Sequence, residues 1–108
     1  PYTKELVGAL KDTDGKVRGA AANTLGRIDP DDKKMVFEKI HDALKGEKDT
    51  NALPGMMRGL TDVAILSKDE DLKKQALMTL RDLQKKATDK AEAKRIQALI
   101  LNLNGTKK

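Results

Sequence analysis

The sequence predicts an all-α protein, and three features indicate this fold class. The 108 residues include 14 Leu, 12 Ala and 36% charged side chains but only 2% aromatic ones, a composition that favours packed helices over sheets. Apolar residues recur at steps of three and four. Clusters of Asp, Asn, Gly, Pro and Ser interrupt this pattern at regular intervals. The length suits one hydrophobic core, so we expect residues 1–108 to form a single domain.

Six amphipathic helices are predicted between these turn signals, and their short connections make neighbouring helices antiparallel. The predicted ranges are 2–11, 15–28, 31–45, 51–66, 69–87 and 89–103. The first three helices carry the apolar stripes Leu6, Val7 and Leu10; Val17, Ala21, Leu25 and Ile28; and Val36, Ile40 and Leu44. The last three carry Leu53, Met57, Leu60 and Ala64; Leu72, Ala76, Leu80 and Leu83; and Ile96, Leu99, Ile100 and Leu103.

Residues at the predicted helix ends agree with the stripes. Asp14 precedes the second helix as an N-cap, and Pro30 stands at the entry to the third. Gly46 and Gly105 follow helix ends, where glycine is common. Pro54 fits a helix only in its first turn, so the fourth helix must begin just before it.

Paired in chain order, the helices give three hairpins at about residues 1–28, 29–66 and 67–105, a period typical of helical-hairpin arrays. Residues 6–26 resemble a HEAT repeat at their Leu, Asp, Val-Arg, Ala and Leu positions. This resemblance to the HEAT-like, PBS-lyase-type family implies a short α-solenoid of three antiparallel hairpins. It also implies that Asp12 and Arg18 form a polar ladder between repeats and that Val17, Ala21 and Leu25 enter the core.

The resemblance covers one repeat in three. The second repeat keeps Leu44 but has Leu53, Pro54 and Gly55 where Val-Arg is expected. Residues 71–80 look more like the second helix of a hairpin than the first, so the repeat register of helices five and six stays open. The family also includes proteins similar to phycobilin lyases, and nothing in these residues favours that activity.

The residue types argue against an enzyme. There is no Cys, which excludes disulfides, thiolate nucleophiles and Cys-based metal sites, and His41 is the only histidine. No glycine-rich phosphate loop is present. The acidic groups Asp31-Asp32 and Asp69-Glu70-Asp71 stand at predicted helix starts, where they are expected to be caps. We therefore expect a non-enzymatic protein without cofactor or metal, in which His41 is a partly exposed structural residue.

Small residues occur inside the second and fourth helices, on the faces opposite the apolar stripes. They are Gly19, Ala22, Gly26, Gly55 and Gly59. Because glycine within a helix costs roughly 1 kcal/mol relative to alanine, they need a reason. They either relieve crowding between helices or form a groove for a partner protein. The residues predicted to bind that partner are Gly19, Asn23, Arg27, Gly55, Arg58, Asp62, Lys94 and Arg95.

The alternative function is electrostatic binding of nucleic acid or another polyanion. Residues 69–108 hold ten basic and six acidic side chains, and Lys74, Arg81 and Lys85 share one face of the fifth helix. An ordinary solvated face would look the same. Nucleic acid is the less favoured ligand, because no exposed aromatic residue is predicted for base stacking.

The preferred partner is therefore another protein, with self-association through the exposed ends of the array as a further alternative. No apolar run approaches the roughly 20 residues that cross a bilayer, so we expect a soluble chain without membrane partners. Since Pro1 is not an initiator Met, the chain is expected to be processed or cut from a longer one. A cytoplasmic location is slightly favoured over an exported one.

Overall fold

The computed structural model describes residues 2–105, which form six α-helices and no strand. Pro1 lies outside this range, as do Lys107 and Lys108, which are two of the ten basic residues counted between positions 69 and 108. The helices are α1 (Thr3–Ala9), α2 (Gly15–Arg27), α3 (Lys33–Lys45), α4 (Leu53–Ser67), α5 (Glu70–Lys86) and α6 (Lys90–Gly105). Each end lies within two residues of its predicted position. The predicted all-α class is confirmed.

Aspartate side chains begin four of these helices, and before α6 Asp89 accepts a hydrogen bond from the N–H of Ala91 at 2.9 Å. Asp14, Asp32 and Asp69 each accept a hydrogen bond of 2.9–3.0 Å from a backbone N–H two or three residues further along the chain. Pro54 is in the first turn of α4, as predicted. Local hydrogen bonding therefore fixes where the chain turns back on itself.

Two residues predicted to mark helix ends, Pro30 and Gly105, stand elsewhere relative to their helices. The third helix begins three residues after Pro30, because Asp32 supplies the cap, and Gly105 is the last residue of α6 instead of following it. Gly46 follows α3 as predicted. The longer α6 reflects the polar residues after Leu103, which continue a helix without contributing to its apolar stripe.

Helix α4 is the centre of the molecule and packs against α2, α3, α5 and α6. Its buried apolar side chains are Met56, Met57, Leu60, Val63 and Ala64. Thr61 is the one buried polar residue in the described chain, and its hydroxyl donates to the carbonyl oxygen of Met57 at 2.8 Å. A polar side chain inside the core is thereby satisfied within its own helix.

The molecule is flat, with dimensions of 34 × 34 × 17 Å. Since packed helices lie 8–10 Å apart, the short dimension corresponds to two helices. Three hairpins, α1–α2, α3–α4 and α5–α6, compose it, and α1 also contacts α3. The stacking of these hairpins as a HEAT-like solenoid stays a prediction, as does the register of the last two helices.

The predicted core stripe of α2 needs correction. Val17 is 38% exposed and Ile28 41% exposed, whereas Ala21, Ala22 and Leu25 are buried. The helix is rotated because its glycine face packs directly on α4. Hydrophobic periodicity gives glycine little weight. It therefore predicts that Val17 and Ile28 belong to the buried face of α2, although that face contains the glycines.

Arg18 joins the first hairpin to the second. Its Nε and Nη2 donate to the two carboxylate oxygens of Glu47 at 2.7 and 2.8 Å, and its Nη1 donates to the backbone oxygen of Asp12 at 2.7 Å. The Asp12 carboxylate instead accepts from the N–H of Asp14 at 2.8 Å. Arg18 therefore contacts Asp12 through its backbone, and its ionic partners beyond the first hairpin are Glu47 and, at 3.9 Å, Asp49. The polar ladder between repeats stays a prediction.

Candidate interaction surface

Helices α2 and α4 meet backbone to backbone through their glycines, and this contact is the most extensive between any two helices of residues 2–105. A methyl group added at Gly19 would lie 3.0 Å from the carbonyl oxygen of Ala52. Methyl groups at Gly55 and Gly59 would overlap the carbonyls of Gly19 and Ala22. The small residues are thus where two helices of this chain approach one another.

This placement corrects the predicted role of two site residues. Gly19 is buried under α4, and Gly55 lies half-buried against Gly19. Neither presents an open surface to a partner. Their positions agree instead with the other interpretation, in which the small residues relieve crowding between two helices of this chain.

A groove between α4 and α6 brings together two of the predicted partner-binding residues, Arg58 and Arg95. Its volume is about 310 Å³, and its apolar lining includes Pro54, Met57 and Leu99. Both arginines are exposed, with Arg58 on the α4 side and Arg95 on the α6 side. The arrangement is an apolar floor between two guanidinium groups.

The charges in this groove are lightly compensated. Arg58 Nε donates to Asp62 Oδ2 at 3.3 Å, one turn along α4, and the Arg58 side chain remains 60% exposed. Such an exposed pair contributes about 0.3–0.5 kcal/mol to stability. Arg95 has no ion-pair partner among residues 2–105. Both arginines are therefore accessible to an acidic or carbonyl-bearing ligand.

The other predicted residues lie outside the groove. Lys94 is exposed but adjacent to Arg95, about 100° around α6. Asn23 is half-buried and Arg27 is exposed on α2, while Asp62 lies over the contact with α2, its Cβ near Gly26. Of the eight residues predicted to bind a partner, Arg58 and Arg95 therefore share the groove, and the other six lie outside it.

The basic residues of α5 occupy a different face. Lys74, Arg81 and Lys85 are all exposed, as predicted. Lys74 and Arg81 line a cavity of about 350 Å³ between α5 and the C-terminal end of α6, together with Leu77 and Met78. We name this cavity the α5 groove.

The sequence reasoning missed the apolar half of the α5 groove. Leu77 was assigned no role, and Leu103 was assigned only to the core of α6, but both line the cavity. Met78, an apolar residue outside the stripe of Leu72, Ala76, Leu80 and Leu83, was the available signal. The groove depends on how α5 and α6 pack against each other, which the helical wheel of a single helix does not show.

His41 bridges α3 and α5 at a point where these helices make little other contact. Its Nε2 lies 2.9 Å from the Thr79 hydroxyl, and its ring lies 5.6 Å from the ring of Phe37. Burial lowers the pKa of His41, Lys45 lowers it further, and Asp42 opposes the shift. The neutral imidazole is therefore favoured, which suits a structural hydrogen bond between helices.

Within residues 2–105, no group of three or more His, Asp or Glu side chains is placed to hold a metal ion. A cavity of about 580 Å³ lies between α1 and α3 and is lined in part by Arg18 and Glu47, which neutralise each other. No helix among those described is long and apolar enough to span a bilayer.

Comparisons with protein-family models, with curated proteins and with solved structures give no match.

Proposed function

We propose that this chain is a non-enzymatic protein-interaction module, built from HEAT-like hairpins, that binds a partner protein across α4 and α6. The observation that carries the proposal is the meeting of Arg58 and Arg95 in one groove with an apolar floor. Arginine beside exposed apolar surface is the composition typical of binding hot spots.

The packing of the molecule supports a rigid surface. Helix α4 contacts four other helices, so Arg58 stands on the most strongly held element. Binding to a preformed surface costs less conformational entropy than binding to a flexible one. Nucleic-acid binding by the basic residues of α5 stays a prediction, and the experiment below distinguishes it.

The test places a photo-crosslinking amino acid at Ala98, which is exposed and lines the groove, and in a second protein at Lys34, which is exposed on α3. Each protein is irradiated in extract from its source cells. We expect adducts with a specific protein from Ala98 and none of that protein from Lys34. The adducts should persist at moderate salt, since part of the contact is apolar.

A charge-reversal variant provides the control. Arg58→Glu should abolish the Ala98 adduct, whereas Lys48→Glu, which makes the same charge change on an exposed loop, should leave it. Unchanged adducts with Arg58→Glu would contradict the proposal. Adducts with nucleic acid in place of protein would favour the alternative function.

A further inference from the structure

The α5 groove is a second surface, separate from the one used in the proposed function. One face of α5 forms its wall, and the C-terminal end of α6 closes it. Its lining combines three apolar side chains, Leu77, Met78 and Leu103, with the cations Lys74 and Arg81. This combination of an apolar floor and a basic rim defines what the groove can recognise.

Met78 is the central apolar residue of the floor and is 67% exposed. Leu77 is half-buried and Leu103 is buried, so they support the floor from beneath. An exposed methionine adapts its flexible thioether side chain to differently shaped apolar partners. The floor can therefore contact an aliphatic side chain directly.

The cations of the rim are spaced along the helix. Seven residues separate Lys74 from Arg81, which corresponds to about 10.5 Å along the axis and about 20° around it. Lys85 continues the same face one turn further. None of these three cations has an ion-pair partner among residues 2–105.

The one carboxylate that lines the groove lies at its end. Glu70 accepts a hydrogen bond from Lys73 Nζ at 3.3 Å, so its charge is partly compensated by a neighbour on the same helix. Between Lys74 and Arg81 the face of α5 carries no acidic side chain. No carboxylate of the groove lining therefore lies between the two cations.

We infer that the α5 groove binds an acidic amphipathic helix of a partner protein, whose aliphatic side chains contact Met78 and Leu77 and whose carboxylates pair with Lys74 and Arg81. Carboxylates seven residues apart on the partner match the spacing of the two cations. Aliphatic residues three and four positions after the first carboxylate lie between them on the same face. Charge complementarity thus selects the partner and the floor supplies apolar contact.

A nucleic acid fits this groove less well. Its phosphates would pair with the cations but would leave the apolar floor without a partner, and no aromatic side chain in the lining is present to stack on a base. A second copy of this chain is a further candidate occupant. Both are outcomes that the following experiment separates from an acidic helix.

The probe is a fluorescent peptide of about 18 residues, or about 27 Å of helix. It carries two Glu seven positions apart, Leu at the third and fourth positions after the first Glu, and Ala and Gln elsewhere. We expect saturable anisotropy with the whole chain, at a Kd below about 1 mM. Peptides in which Lys replaces Glu, or Ser replaces Leu, should each bind at least about tenfold more weakly.

Variants of the chain test the residues. The double substitution Lys74→Glu with Arg81→Glu should weaken binding by at least about tenfold, or about 1.4 kcal/mol. Met78→Ser should weaken it several-fold. The matched control is Lys34→Glu with Lys39→Glu, which makes the same charge change on exposed positions of α3 and should leave the affinity unchanged. Circular dichroism must show equal helix content in all variants.

Three results would overturn the inference. The first is absence of saturable peptide binding. The second is tighter binding of a single-stranded or duplex oligonucleotide, with affinity falling log-linearly with salt, which assigns the rim to nucleic acid. The third is a dimer in sedimentation that Met78→Ser dissociates, which assigns the groove to a second copy. Because Arg58 and Arg95 are elsewhere, the first and third results leave the proposed function unaffected, whereas the second also favours its nucleic-acid alternative.

Discussion

At the scale of single residues, the glycines are important because they lack a side chain. Gly59 and Gly55 have no Cβ, and this absence allows the backbone of α4 to reach the carbonyls of Ala22 and Gly19. Gly8, by contrast, has no atom within 4 Å of the position where a Cβ would stand. The two kinds of glycine therefore respond oppositely to the same substitution.

Gly59→Ala should destabilise the fold by about 1–3 kcal/mol, because the added methyl overlaps a backbone carbonyl that cannot rotate away. Gly8→Ala, the matched control, should be neutral or stabilise by up to about 1 kcal/mol through helix propensity. Thermal unfolding measures both. A Gly59→Ala protein as stable as the parent would mean that α2 and α4 are further apart than described.

Lys68 ends α4 in the left-handed conformation, with a φ of 57°. This conformation crowds the Cβ of any L-residue but is open to glycine. Lys68→Gly should therefore raise stability by about 0.5–1 kcal/mol, after the greater freedom of glycine in the unfolded chain is subtracted. Lys68→Ala keeps the Cβ and should give no such gain in the same denaturation measurement.

At the scale of elements, side chains that cross between hairpins hold helices in place. The Glu47 carboxylate, whose side chain is 6% exposed, receives two hydrogen bonds from Arg18. The hydrogen bonds of Arg18, with the backbone N–H of Asp49, lower the pKa of Glu47 against the opposing effect of burial. The pair connects the start of α2 to the loop after α3.

This pKa shift makes part of the stability depend on pH. Because the folded state binds the Glu47 proton less tightly than the unfolded chain, the contribution is present above the ordinary Glu pKa of about 4.3 and is lost as pH falls below it. Glu47→Gln should lower the midpoint of thermal unfolding at pH 7 but make little difference at pH 3.

An exposed glutamate on α3 provides the control for that experiment. Glu38→Gln removes the same charge without breaking an ion pair and should change the midpoint little at pH 7. If Glu47→Gln destabilised the protein equally at pH 3 and pH 7, packing rather than charge would explain the loss. Arg18→Met should reproduce the pH dependence of Glu47→Gln.

Across the whole molecule, stability is distributed unevenly around α4. This helix has neighbours on several sides, whereas α1 has seven residues, none of them buried, and its N-cap makes no side-chain hydrogen bond. Few buried contacts mean a low free energy of local opening. The flat shape adds to this difference, because the outer helices are covered on fewer sides.

Hydrogen exchange should reveal this gradient. We expect amides of α1 to exchange fastest among the six helices and those of the middle of α4 to exchange only with global unfolding. Mass spectrometry of peptides covering residues 3–9 and 56–64 makes the comparison. Equal protection in the two segments would show instead that the described chain opens as a single cooperative unit.

The sequence was sufficient for local features of this fold. Helix boundaries follow from turn residues such as Asp14 and from apolar periodicity, both of which act over a few residues. The exposed positions of Val17 and Ile28, and the buried one of Gly19, depend on how closely α4 approaches α2, which periodicity does not contain. The sequence predicts that Arg58 and Arg95 are exposed. The groove between them depends on how α4 and α6 pack, which periodicity does not contain either.

Where helix backbones touch over glycine, few side chains interlock at that point of the contact. Gly55 and Gly59, about one turn apart on α4, present nearly equivalent surfaces to α2 after a displacement of about 6 Å. The bonds from Arg18 to Glu47 are directional and add a preference for the observed offset. Apolar residues in place of both members of that pair would remove this directional restraint while leaving the glycine contact between the helices in place.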